Sequence, residues 1–128
     1  MIRILVVDDD PSIRFLLRAI LEGEGYSVLE AGNGQAALNA IAGEALPDIV
    51  MTDLMMPVMS GAELIVRLRS DARTAGLPIV VVSSNPEAVE NLAVDAIVTK
   101  PFKAGDLADR VRAITGRAKQ GQAAGGTP

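Results

Sequence analysis

The chain has 128 residues, with 12 Lys and Arg against 16 Asp and Glu, no His and no Cys, giving a formal charge of −4. One domain fits that length, and 49% hydrophobic with 22% charged residues is the balance of a packed protein, not a disordered one. This composition excludes a thiol nucleophile, an imidazole base, a disulfide framework and the usual zinc sites, and its acidity argues against direct nucleic-acid binding.

In chain order, the first apolar run is Ile2 to Val7, which meets Asp8-Asp9-Asp10 at once. Such a start is neither a signal peptide nor a membrane span, so the expected setting is cytoplasmic, with no membrane insertion. Ile13, Leu16, Leu17, Ile20 and Leu21 then recur at i, i+3, i+4, i+7 and i+8, one face of an amphipathic helix. Asp10 caps it, Pro11 takes the first helical position, and Gly23 and Gly25 close it. Ser27 to Ala31 predicts a second strand, and Gly34 to Gly43 a helix with Ala37, Leu38 and Ile41 inward. Ile49 to Thr52 is the third strand. Ser60 with Glu63 is a capping box opening a helix that carries Leu64, Ile65 and Leu68. Ile79 to Val82 and Ala96 to Thr99 are the last strands. Between them, Asn85 to Val94 has room for about two helical turns at most. A final helix comes after Phe102, with Leu107, Val111 and Ile114 on one face, and 118–128 reads as a disordered Gly, Ala and Gln tail after a domain over 1–117.

Strands alternating with helices predict an α/β fold, a doubly wound parallel sheet with right-handed crossovers. Ligands of such sheets bind beyond the carboxyl ends of the strands. Those ends carry Asp8-Asp9-Asp10, Asp53, Ser83-Ser84-Asn85 and Lys100-Pro101-Phe102. Clustered carboxylates must take up protons or a cation, and Mg²⁺ accepts one or two of them beside water and phosphate. A lysine and a hydroxyl are what a phosphoryl group needs. Plainer roles suit other residues: Asp10, Ser84 and Asn85 as caps, Asp48 as a turn residue, and Gly32-Asn33-Gly34 as a turn without the spacing of a phosphate loop. Met51, Met55, Met56 and Met59 suit core filling.

Asp8-Asp9, Asp53 with Met56-Pro57 and Gly61, Ser83, and Lys100-Pro101-Phe102 together resemble the receiver domain of two-component response regulators, of the CheY type. The resemblance covers 1 to about 117 and implies a flavodoxin-like (βα)5 fold with strand order 2-1-3-4-5 and a shortened fourth helix. It implies that Asp53 accepts a phosphoryl group from the phosphohistidine of a sensor histidine kinase or histidine phosphotransfer protein. It further implies Mg²⁺ on Asp9, Asp53 and the Met55 backbone carbonyl, with Asp8 assisting through water. Ser83 and Lys100 would contact the phosphoryl oxygens, and the Lys100-Pro101 bond would be cis. The protein would then be a stoichiometric acceptor in a phosphorelay and not a turnover enzyme.

Two departures from that family pattern bear on output. Ile97 stands where a Tyr or Phe usually reports the phosphorylation state, and the stretch from Ser83 to Lys100 is about a turn and a half short. Both point to a signal leaving through the segment from Asn85 to Val94. A pseudo-receiver that binds partners without phosphorylation is the alternative function. An aspartate-nucleophile hydrolase would need an acid two residues after Asp53, where Met55 stands. Nucleotide or flavin binding would need a Gly-rich loop after the first strand, and the sequence has none there.

Overall fold

Five parallel strands alternate with helices along the chain: β1 (Arg3–Val7), α1 (Pro11–Gly23), β2 (Ser27–Ala31), α2 (Gly34–Ile41), β3 (Ile49–Thr52), α3 (Gly61–Ser70), β4 (Ile79–Ser83), β5 (Ala96–Thr99) and α4 (Ala104–Ala124). The computed structural model describes residues 1–43, 45–89 and 91–124, with 117–124 as backbone only. The strands hydrogen-bond in the order β2-β1-β3-β4-β5. The fold is therefore the flavodoxin-like one, with its switch point between β1 and β3.

Alternation along each strand divides the core into two layers. Leu5 and Val7 of β1, Val50 of β3, and Ile79 and Val81 of β4 face α2 and α3. Their neighbours Ile4, Val6, Ile49, Met51, Val80 and Val82 pack with α1 and α4 through Leu17, Leu21, Leu107, Val111 and Ile114. Burial on both faces explains why these runs are almost continuously apolar.

The helix starts obey local chemistry. Asp10, Asn33 and Ser60 each accept a hydrogen bond from a backbone N–H of the first turn of α1, α2 and α3, which satisfies donors the helix itself cannot. Gly25, at φ 92°, ends α1; Tyr26 N–H donates to Leu21 and Gly25 N–H to Glu22, the paired bonds of a Schellman close. Asp48 receives the Arg3 N–H, pinning the turn before β3. Of the methionines, Met51 and Met59 fill the core, whereas Met55 is 76% exposed.

Between β4 and β5 the chain makes a single 3₁₀ turn, Pro86–Val89, with Val89 buried against the α2–α3 layer. Arg69 of α3 ties down the chain between this turn and β5, donating to the carbonyl of Ala93 and pairing with Asp95 at 3.0 Å. The same guanidinium also donates to the carbonyls of Ala75 and Leu77. At the other end of the chain, α4 runs on to Ala124, past the domain end expected at residue 117 and into the stretch expected to be disordered. The Ala, Lys and Gln of that stretch are good helix formers and continue a helix already nucleated on the core. Residues 125–128 of the expected tail lie outside the described residues. No helix among the described residues is long and apolar enough to cross a membrane.

Candidate functional site

Asp8 and Asp53 come directly after β1 and β3, adjacent strands whose register pairs Val7 with Thr52. Ladder bonds extend one residue further, from Asp8 N–H to Ala31 and from Asp53 N–H to Val7, so the two carboxylates leave the sheet edge side by side. Asp9 joins them: carboxylate oxygens of Asp8, Asp9 and Asp53 lie within 4.8 Å of one another. Lys100, after β5, stands two strands from Asp53, about 10 Å, and its long stem spans that gap. Its Nζ donates to Asp8 Oδ2 at 3.0 Å and to Asp53 Oδ2 at 3.1 Å. The Lys100–Pro101 peptide is cis. Burial by itself would lower the lysine pKa, but the hydrogen bonds and charges of Asp8 and Asp53 outweigh it and hold the ammonium above its ordinary value.

The three acids differ in how they are held. Asp8 is 1% exposed, with Oδ1 accepting from Asp10 N–H and Oδ2 from Lys100. Asp53 is half-buried at the mouth, with Oδ1 accepting from its neighbour Leu54 N–H at 2.7 Å. Asp9 is exposed, and its carboxylate takes no hydrogen bond among the described residues. Three carboxylates against one ammonium leave a formal charge of −2. A small divalent cation with oxygen ligands matches both that charge and the donor set.

Ser83 is the buried last residue of β4, and its Oγ accepts from Asn85 N–H at 3.0 Å. The ladder continues beyond it through Lys100 N–H to Ser83 O, so the hydroxyl and the lysine enter the site from neighbouring strands. Ile97 packs half-buried against the α2–α3 layer, the layer that also holds Val89 and Leu92.

Of three supports of the site, two, Thr52 and Arg14, escape a reading of the sequence. Thr52 Oγ1 donates to the Asp53 carbonyl at 2.7 Å. Gly61 brings the start of α3 against that same carbonyl, so closely that a Cβ there would lie 1.8 Å from the oxygen. Arg14 of α1 donates to the Asp8 carbonyl at 2.6 Å. Only Gly61 had a sequence signal, its place in the run after Asp53. The other two act on main-chain atoms, which leave no mark in residue type.

Residues 4–112 match the response regulator receiver domain family. The chain belongs to that family. The receiver is 42% identical over 116 residues to the DNA-binding response regulator MtrA of Mycolicibacterium smegmatis, covering 87% of this chain and 49% of that protein. Among solved structures, it superposes on the signal receiver domain of a signal transduction histidine kinase from Syntrophus aciditrophicus with a TM-score of 0.86, at 29% identity over 94% of each chain. It also superposes on the response regulator TrrA of Thermotoga maritima, solved with Mg²⁺-BeF, with a TM-score of 0.78 at 35% identity, covering 88% of this chain and 97% of that one. The receiver spans about half the length of the DNA-binding regulators it matches.

The loop after Asp53 holds one strained residue. Val58 is 81% exposed and adopts φ 69°, the left-handed region that a β-branched side chain resists. Val58→Gly should raise stability by about 1 kcal/mol, the lower end of the cost of that conformation, and raise the melting temperature by a few degrees. Thermal melts check this; an unchanged or lower melting point would show that the loop carries no such strain.

Proposed function

We propose that this receiver is a stoichiometric phospho-acceptor in which Asp53 takes a phosphoryl group from the phosphohistidine of a sensor histidine kinase or histidine phosphotransfer protein. One observation carries the reading: of the three clustered carboxylates, Asp53 alone is both reachable from solvent and held by the Lys100 ammonium. Asp8 is buried, and Asp9 pairs with no cation among the described residues. In the transfer, an Asp53 carboxylate oxygen bonds to phosphorus, the bond from phosphorus to the imidazole nitrogen breaks, and the electron pair leaves with the imidazole.

Asp9, Asp53 and the Met55 carbonyl would hold Mg²⁺, with Asp8 assisting through water. Bound there, Mg²⁺ would neutralise charge on the carboxylates and on the incoming phosphoryl oxygens. Lys100 exchanges its carboxylate partners for a phosphoryl oxygen, and Ser83 turns its hydroxyl toward another. Turning Ser83 releases the Asn85 N–H bonded to its Oγ, which loosens the start of the Pro86–Val89 turn. With Ile97 in place of a ring, that turn and the residues up to Val94 carry the change to a partner by a shift of population. The 128 residues carry a net charge of −4, which supports the reading that they make no direct nucleic-acid contact of their own.

Acetyl phosphate should label the protein once, on Asp53, and only with Mg²⁺ present. Intact-mass spectrometry reads a single phosphoryl adduct on the parent and none on Asp53→Ala. Labelling that persists in the variant, or proceeds equally in EDTA, removes the assignment.

A further inference from the structure

Building on the phospho-acceptor reading of this site, we infer that Arg14 is a positioning residue for the metal-binding carboxylates, acting through the backbone of the Asp8–Asp9 peptide. Arg14 Nη1 donates to the Asp8 carbonyl at 2.6 Å, and its Nε donates to Glu30 of β2 at 3.1 Å. An ionised donor at that length makes one of the stronger hydrogen bonds available to a carbonyl. Glu30 takes a second bond from Arg18 at 2.6 Å, and Arg18 also pairs with Glu22, so the glutamate that aims Arg14 is itself held. These bonds hold the Glu30 carboxyl below its ordinary value, the Arg18 hydrogen bond contributing most.

The consequence falls on Asp9. Every polar group of Asp8 is already fixed, its N–H by Ala31, its carbonyl by Arg14 and its carboxylate by Asp10 N–H and Lys100. The Asp9 carboxylate has no partner among the described residues, so only the backbone that carries it, and the position this gives its Cβ, aims it at the site. Arg14 holds the oxygen of the peptide that precedes it. Releasing it lets the peptide rotate and spreads Asp9 over orientations that do not converge with Asp53. Groups that orient metal ligands from behind typically matter tenfold or more in affinity.

Charge and geometry predict opposite signs here. A positive group removed from beside an acidic cluster should tighten Mg²⁺ binding if charge is all that matters. Isothermal titration calorimetry with MgCl₂ on the full chain should instead show binding weakened about tenfold in Arg14→Gln. Arg14→Lys should also bind more weakly, because one ammonium keeps the charge but cannot reach both the Asp8 carbonyl and Glu30. Arg112→Gln, which loses two ion pairs, to Glu24 and Asp109, far from the site, should stay within about twofold of the parent. In acetyl phosphate labelling, Arg14→Gln should raise the half-saturating Mg²⁺ about tenfold while the rate at saturating Mg²⁺ stays within about threefold. Equal or tighter Mg²⁺ binding in Arg14→Gln, or an equal loss in Arg112→Gln, overturns the positioning role. A parent protein that binds no Mg²⁺ overturns the functional reading on which the role depends.

Discussion

Gly61→Ala should destabilise this receiver strongly, because a methyl group at that position has nowhere to go. The ideal Cβ falls 1.8 Å from the Asp53 carbonyl oxygen and 2.8 Å from Leu54 Cα, both main-chain atoms. No rotamer change relieves such a clash. Either α3 withdraws or the Asp53 peptide shifts, and both are strongly held. Gly61 N–H donates to Leu54 at 2.9 Å, Ser60 caps the helix, and Leu64, Ile65 and Leu68 are buried beneath it. Overpacking of this kind costs about 3 kcal/mol or more, lowering the melting temperature by roughly 10 °C. Any folded fraction should accept phosphoryl groups poorly, since the carbonyl under strain belongs to the proposed acceptor residue. Gly105→Ala is the matched control: a Cβ there meets nothing within 4 Å, and helix propensity favours the alanine by about 1 kcal/mol. Thermal melts of both variants decide the matter. A Gly61→Ala protein melting within about 2 °C of the parent would mean that α3 can withdraw from Asp53 at little cost.

Lys100→Met should destabilise the metal-free protein while making Mg²⁺ a stronger stabiliser than it is for the parent. Removing the ammonium leaves Asp8, 1% exposed, without the cation that offsets its burial, and raises the formal charge of the cluster from −2 to −3. Breaking a fully buried pair costs about 3–5 kcal/mol. Lys100 and Asp53 keep some contact with water, so a loss of about 2 kcal/mol is the reasonable expectation. The lysine and a divalent ion would both draw on the negative charge of Asp8 and Asp53. Without that competition, millimolar Mg²⁺ should raise the melting temperature of the variant more than that of the parent. Labelling by acetyl phosphate at saturating Mg²⁺ should nonetheless slow by about a hundredfold, because the donor proposed for the phosphoryl oxygens is gone. Equal melting of variant and parent without metal, or equal gains with it, would separate Lys100 from the acidic cluster.

Much of this protein was determined by its sequence alone, and for identifiable reasons. Continuous apolar runs such as Ile4 to Val7 and Ile79 to Val82 can be buried on two faces only in a covered parallel sheet. The caps Asp10, Asn33 and Ser60 are local chemistry, settled within four residues. Asp8, Asp9, Asp53, Ser83 and Lys100 announce themselves by lying just beyond, or at, the ends of those runs, where an open α/β sheet gathers its ligands. Nothing local decided the rest. That one ammonium bridges Asp8 and Asp53 depends on the order of β1, β3, β4 and β5 and on a stem that spans two strands. That Asp8 is locked while Asp9 is free depends on an arginine in the first turn of α1 reaching a carbonyl, a partner no residue type can signal. Helix α4 continues past Arg117 because a helix seated on the core extends into good helix-forming residues that composition alone would assign to a tail. The chain after the short Pro86–Val89 turn is secured from outside itself, by Arg69 reaching across from α3. Side chains that hold their near neighbours in the chain leave a local pattern in sequence; those that reach across the fold become visible only when the chain is folded.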